Sequence, residues 1–147
     1  MTGPATETQT SLYGPLIDDN NRPFFDGAAS GELRIQCCAA CGRHRHPPHE
    51  RCPLCHSDQV SWTVSSGTGV IWSFVVAHPP LPGPFAEMAP VTVVLVALDD
   101  PAGVRVMGTL LDAGDAGRTA PAIGDRVAAV FQSVADGPVL PHFAPAP

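Results

Sequence analysis

Two short cysteine pairs constrain this chain more than any other feature. Cys38-Ala39-Ala40-Cys41 and Cys52-Pro53-Leu54-Cys55 lie ten residues apart. In each, a tight turn aims two sulfurs at one point, and bringing the turns together completes the tetrahedral thiolate cage that zinc prefers. Redox-active dithiols or inert buried thiols are the competing accounts, but two knuckles at this distance are the pattern of a zinc site. The expectation is one structural zinc held by Cys38, Cys41, Cys52 and Cys55. Gly42 follows the first pair, where a left-handed residue lets backbone N–H groups turn back toward the sulfurs. The second pair has His56 at that point, a costlier but tolerated choice. Cys37 is one residue too far from Cys41 to form a knuckle and reads as a spare small residue. A cage filled by four thiolates needs no further ligand, so His44, His46 and His49 read as exposed loop residues. It also leaves no open position for activating water, so the metal should staple the fold.

Either side of this module the pattern changes. Residues 1–20 are polar and rich in Thr, Gly and Asp, as expected of a flexible arm. Asn20 or Asn21 is placed to cap a short helix over 23–29, with Gly31 as its stop. Residues 32–36 alternate so that Leu33 and Ile35 share one strand face. Beyond Cys55 come apolar, β-branched runs over 60–64, 70–78, 91–98, 104–111, 126–134 and 139–143, separated by Gly, Pro and Asp. Asp99-Asp100-Pro101-Ala102-Gly103 reads as a hairpin turn. Residues 79–85 read as a stiff apolar loop and 112–121 as a flexible one. The expectation is a mainly β protein: arm over 1–20, N-terminal helix and zinc ribbon over 21–58, and a five-stranded OB-fold barrel over 59–147.

Charge narrows the function classes. Eight basic residues stand against 14 acidic, a net charge of −6, and all eight are Arg. Nucleic-acid binding ordinarily needs a basic footprint, and this balance opposes a large one, though Arg34, Arg43, Arg45 and Arg51 gather in or beside the cysteine module. The aromatic platforms that single-stranded nucleic acid needs are few, and Trp62, Trp72 and Phe74 are expected in the core. Free thiolates suit a reduced compartment, and the longest apolar run, 91–98, is far short of a membrane span, so a cytoplasmic chain is expected.

The ordered set Leu33, Cys38-x-x-Cys41-Gly42, Pro47-Pro48, Cys52-Pro53-x-Cys55, Trp62, Gly67-x-Gly69 and Ile123-Gly124-Asp125 resembles the acyl-CoA-associated OB-fold proteins with an N-terminal rubredoxin-like zinc ribbon. The resemblance covers residues 20–143, departing at His56, where the family usually has Gly. It implies an accessory chain in acyl-CoA metabolism, partnered with a thiolase-like or hydratase subunit. Some such partners carry out a retro-aldol step in steroid side-chain breakdown. Acyl-CoA would then lie at the interface the two subunits share.

The chain offers no nucleophile elbow, phosphate loop or His-Glu metal helix, so no catalytic residue is assigned. Turn geometry accounts for Asp99 and Asp100 without chemistry, and His78 and His142 read as surface residues at strand ends. The first hypothesis is therefore a non-catalytic accessory subunit, and the alternative is a zinc-ribbon/OB-fold nucleic-acid-binding module. Leu81 and Phe85, in a proline-stiffened loop with no charge before Glu87, are the candidate partner interface.

Overall fold

A computed structural model describes residues 14–111 and 120–147. Most of the arm expected over 1–20 and of the loop expected over 112–121 lies outside them.

Helix α1 (Arg22–Ala29) starts where expected, with Pro near its first turn and Asn21 at the N-cap position, but that side chain makes no hydrogen bond to the helix. Instead Asn21 Oδ1 accepts from the Asp18 N–H, and its Nδ2 donates to the Leu16 carbonyl. The side chain is spent on the incoming turn. At the other end the Gly31 N–H donates to the Ala28 carbonyl, closing the helix.

Strand β1 (Leu33–Cys38) lies between β2 (His44–Arg45) and β3 (Val60–Ser65) in a small antiparallel sheet. Strand β2 falls between the knuckles in a segment the sequence gives as loop. Gln36 pairs with Arg45 and Cys37 with His44 in its register. The second sheet runs β6-β5-β4-β7-β8, built from β4 (Thr68–Ala77), β5 (Val91–Leu98), β6 (Arg105–Thr109), β7 (Arg126–Ser133) and β8 (Val139–Pro145). A parallel bridge between Leu110 and Phe143, with the Leu111 N–H donating to the Phe143 carbonyl, joins the ends of this sheet. Closure of five strands in this order makes the expected OB-fold barrel.

Close packing depends on a glycine at the first barrel strand. A Cβ on Gly69 would lie 2.3 Å from the Ala97 carbonyl oxygen, so any side chain there would push β4 off β5. A register shift between Ile71 and Ser73 marks a β-bulge at Trp72. The extra residue reverses the facing of a strand locally. Trp72, beside the inward-facing Ile71, faces out and stays half exposed, against the expectation that it is spent on the core, while Phe74 beyond the bulge turns back to the core, against which Trp62 also packs.

Ribbon, helix and barrel share one apolar cluster. Phe24 from α1 and Leu33 and Ile35 from β1 belong to it with Ile71, Val94, Val96, Val106, Val127 and Phe143 of the barrel. Strand β5 buries Val91, Val94, Val96 and Leu98, and its intervening residues are half buried. Val93 lines a cavity of about 290 Å³ together with Phe24 and Phe25, so the helix helps cover the second face of this apolar strand. Among the described residues no helix is long and apolar enough to cross a membrane.

Candidate metal centre

The two knuckles have the same backbone design. The Gly42 N–H donates to the Cys38 carbonyl at 2.8 Å, and the His56 N–H donates to the Cys52 carbonyl at 2.9 Å. One residue further on, the Cys38 N–H reaches the Arg43 carbonyl and the Cys52 N–H the Ser57 carbonyl, both at 2.9 Å. Gly42 has φ 77° and His56 φ 64°, so both occupy the left-handed region, and the histidine completes the same turn at greater backbone cost.

These turns bring the four predicted sulfurs together. Cys38 Sγ is 3.6 Å from Cys55 Sγ, Cys41 Sγ is 3.6 Å from Cys52 Sγ, and all four lie within 4.8 Å of one another. A tetrahedron with metal–sulfur bonds of about 2.3 Å requires sulfur separations of about 3.8 Å, so the cage fits zinc. Cys38 and Cys52 are buried, whereas Cys41 and Cys55 face outward. The Cys41 backbone N–H, helped by that of Ala40 and opposed by burial, holds the Cys38 thiol down to about 6. Backbone N–H groups of Cys55 and Leu54 lower Cys52 in the same way. The Arg43 N–H pulls on Cys41, but burial and the neighbouring Cys38, Cys52 and Cys55 sulfurs push it up to about 12. A site that favours thiolates yet crowds them is relieved by a divalent cation. Cys37 is half buried and lies outside the four-sulfur group.

Three histidines, His44, His46 and His142, depart from expectation. His44 is half buried, with Nε2 at 2.9 Å from Thr63 Oγ1 across the ribbon sheet, while His49 stays exposed. His46 packs 5.0 Å from the Phe24 ring, and burial lowers it to about 4. His142 is 3 % exposed, and its Nε2 lies 3.3 Å from the Gln132 carbonyl. Both were expected at the surface. Proline neighbours mark strand and loop ends, but here those ends lie under α1, so position in sequence misreads burial. His78 is exposed as expected.

Sequence reasoning also missed a polar knot beneath the knuckles. Gln36 is 1 % and Arg45 7 % exposed. Gln36 Oε1 accepts from Arg45 Nε at 2.6 Å and from the His49 N–H at 2.8 Å, and Arg45 NH2 donates to the His49 carbonyl at 3.1 Å. The available signal was the alternation of residues 33–36, which a polar Gln36 completes on the ribbon side.

Asp99 and Asp100 act as structural residues of the turn. Asp99 forms a two-pronged pair with Arg126 at 2.8 and 2.6 Å, and accepts from Thr68 Oγ1. Asp100 accepts from the Ser66 N–H and hydroxyl, and its carbonyl accepts from Ser65 Oγ. The β5–β6 turn thus clamps the link between ribbon and barrel. The apolar loop before β5 contains a 3₁₀ turn (Gly83–Ala86), with Leu81 and Phe85 half buried.

A four-thiolate ribbon packed on a closed five-stranded barrel defines a zinc-ribbon/OB-fold protein. Comparison narrows the class. Residues 25–61 match the ChsH2 rubredoxin-like zinc ribbon domain and residues 62–132 the ChsH2 C-terminal OB-fold domain. The chain belongs to the ChsH2 family. It is 35 % identical to a chain of a solved structure described as the Ltp2-ChsH2(DUF35) aldolase, with TM-score 0.78, covering 90 % of this chain and 99 % of that one. A DUF35-family protein of unknown function from Sulfolobus solfataricus shares only the fold, at 14 % identity and TM-score 0.54 over 87 % and 86 % of the two chains.

Among curated relatives, a probable enoyl-CoA hydratase alpha subunit from Thermomonospora curvata is 41 % identical over 97 residues, 66 % of this chain. A 3-oxo-4,17-pregnadiene-20-carboxyl-CoA hydratase alpha subunit from Mycobacterium tuberculosis is 40 % identical over 107 residues, 72 % of this chain. The chain spans only 29 % and 32 % of the lengths of these two relatives.

Proposed function

We propose that this chain is a non-catalytic accessory subunit of an acyl-CoA-processing complex. Ribbon and barrel dock on a thiolase-like partner, of the kind that cleaves steroid side chains by retro-aldol chemistry, or on a hydratase subunit. The single observation that carries this reading is the near-complete match, at 35 % identity, to a chain of the Ltp2-ChsH2(DUF35) aldolase. The site chemistry agrees, because four thiolates fill a zinc coordination sphere and leave no position for substrate. In this role Cys38, Cys41, Cys52 and Cys55 hold the zinc, and acyl-CoA lies at the shared interface. The ligand set belongs in the reducing cytoplasm.

Leu81 and Phe85 are the proposed contact. Both are half buried in a loop with prolines at 79, 80, 82 and 84, so the loop loses little further freedom at an interface. The test is to co-purify the tagged chain from its native host and identify what comes with it. A thiolase-like or hydratase protein is expected; recovery of neither overturns the reading. Replacing Leu81 and Phe85 together by Ser should leave zinc content unchanged and weaken partner affinity at least tenfold, roughly the effect of losing two apolar anchors. Unchanged affinity in the folded variant would place the interface elsewhere. Among the described residues the nucleic-acid reading has one exposed aromatic in its favour, Trp72, and the Arg105 guanidinium already stands 4.0 Å above its ring.

A further inference from the structure

We propose that the cavity between the zinc ribbon and the β5–β6 turn is a binding site for the phosphate group of a phosphorylated ligand. The cavity, about 300 Å³, is lined by Arg43, Arg45 and Arg105 with His44, His46 and His49, and no carboxylate is among its lining residues. Three of the chain's eight arginines therefore converge on one hollow in a protein whose net charge is −6. Such a local reversal of sign collects anions that the rest of the surface repels.

Arg45 makes this a built site. Its guanidinium is buried and, among the described residues, no carboxylate pairs with it. Nε and NH2 are fixed by Gln36 and the His49 carbonyl, whereas NH1 is buried with no hydrogen-bond partner. A buried cation without a counter-ion is costly, and removing one partner from a buried pair is strongly destabilising. NH1 is closed off from solvent, so what the guanidinium lacks is a counter-charge close by, and a phosphate in the adjoining hollow supplies it. Arginine is suited to this anion because its planar fork matches phosphate geometry, and Gln36 holds that fork in place before any ligand arrives. Arg43 and Arg105 are exposed at the rim, so Arg43 can close on the remaining oxygens directly and Arg105 by swinging off the Trp72 ring. The site stands apart from the docking reading and can be tested on the chain alone.

The experiment titrates the zinc-loaded full chain with inorganic phosphate and with adenosine 3′,5′-bisphosphate, using acetate at matched ionic strength as control, and follows heat and the ³¹P signal. Saturable binding of phosphate, absent for acetate, is expected. The Arg43→Ala/Arg105→Ala pair should weaken it at least tenfold while zinc content stays the same. If that pair fails to fold, Arg43→Ala alone carries the test with a several-fold loss. A bisphosphate that binds much more tightly than inorganic phosphate identifies a nucleotide as the source, and equal affinity identifies the free anion. No saturable phosphate binding, equal binding of acetate, or unchanged affinity in the folded variants would overturn the proposal.

Discussion

The ribbon and the barrel solve the same problem by different means. In the ribbon, order comes from four sulfurs contributed by a segment of 18 residues, Cys38 through Cys55, around a polar knot of Gln36, Arg45 and His49. In the barrel, it comes from apolar side chains spread from Ile71 to Phe143, brought together by long-range strand pairing. A site made of ligands is conditional on its metal, while a core made of Val, Ile and Phe is not. Yet Phe24, Leu33 and Ile35 belong to the barrel's cluster, so the ribbon is half stapled and half packed. Melting its metal end should leave its packed end damaged but present.

The largest effect should follow loss of one zinc ligand. Structural zinc sites in small ribbons contribute roughly 10–16 kcal/mol of apparent binding energy, and most of it is folding energy. Cys52→Ser should therefore release the metal and strip amide-exchange protection from β1 and β3, with β5 and β7 keeping theirs. Cys37→Ser should retain one zinc per chain, because its sulfur is outside the cage. Uniform loss of protection in Cys52→Ser would mean that ribbon and barrel are one cooperative unit. Zinc loss in Cys37→Ser would mean that the ligand set is misassigned.

The converse perturbation is Phe143→Ala. Phe143 is fully buried, and Gly108 is kept free of a side chain beside its ring, where a Cβ would come within 3.0 Å. Truncation should cost about 3–5 kcal/mol in denaturant unfolding, because the cavity cannot collapse against the backbone of β6. Zinc stoichiometry should stay at one per chain. A variant that also loses its zinc would show that the barrel holds the cage together.

This contrast explains what the sequence could reveal. Cysteine spacing is local information, so Cys38, Cys41, Cys52 and Cys55 could be read directly, and so could β-branched strands such as 91–98. Burial set by another element is nonlocal information. Nothing next to His46 or His142 in the chain says that α1 will lie over them. Trp72 escaped because the bulge puts it on the face opposite Phe74, which unbroken alternation would place beside it, and periodicity cannot see a bulge. The short β2 exists because the two knuckles fold back on β1, a pairing that two residues of sequence cannot announce.

His46 offers a pH test of the packed end of the ribbon. Burial lowers its folded value to about 4, while the unfolded chain titrates near 6.5. The unfolded state therefore binds the extra proton first as pH falls. Its contribution is fully present above about pH 6.5 and declines toward pH 4, by up to roughly 3 kcal/mol over the window. His46→Phe, which keeps the contact with Phe24, should flatten this decline at matched zinc content. Parallel slopes for the two proteins between pH 7 and pH 5 would remove His46 from the account.

The smallest effect belongs to the clamp on the barrel side. Asp99 is held down to about 2, first by the hydrogen bonds from Arg126 and then by Thr68. A carboxylate lowered in the folded state stabilises it above the unfolded value near 3.9, and loses that contribution only as pH falls from about 4 toward 2. Both side chains of the pair are more than 40 % exposed, so solvent screens most of the attraction. A double-mutant cycle with Asp99→Asn and Arg126→Gln should therefore give a weak favourable coupling at pH 7, smaller in 1 M salt and unchanged at pH 5. That constancy is the contrast with His46, whose contribution already falls over the same interval. A coupling that drops between pH 7 and pH 5 would mean that the clamp is tied to the histidines of the ribbon face. One that survives 1 M salt would mean that it acts through the geometry of the turn, with Asp100 and Ser66 carrying the join between ribbon and barrel.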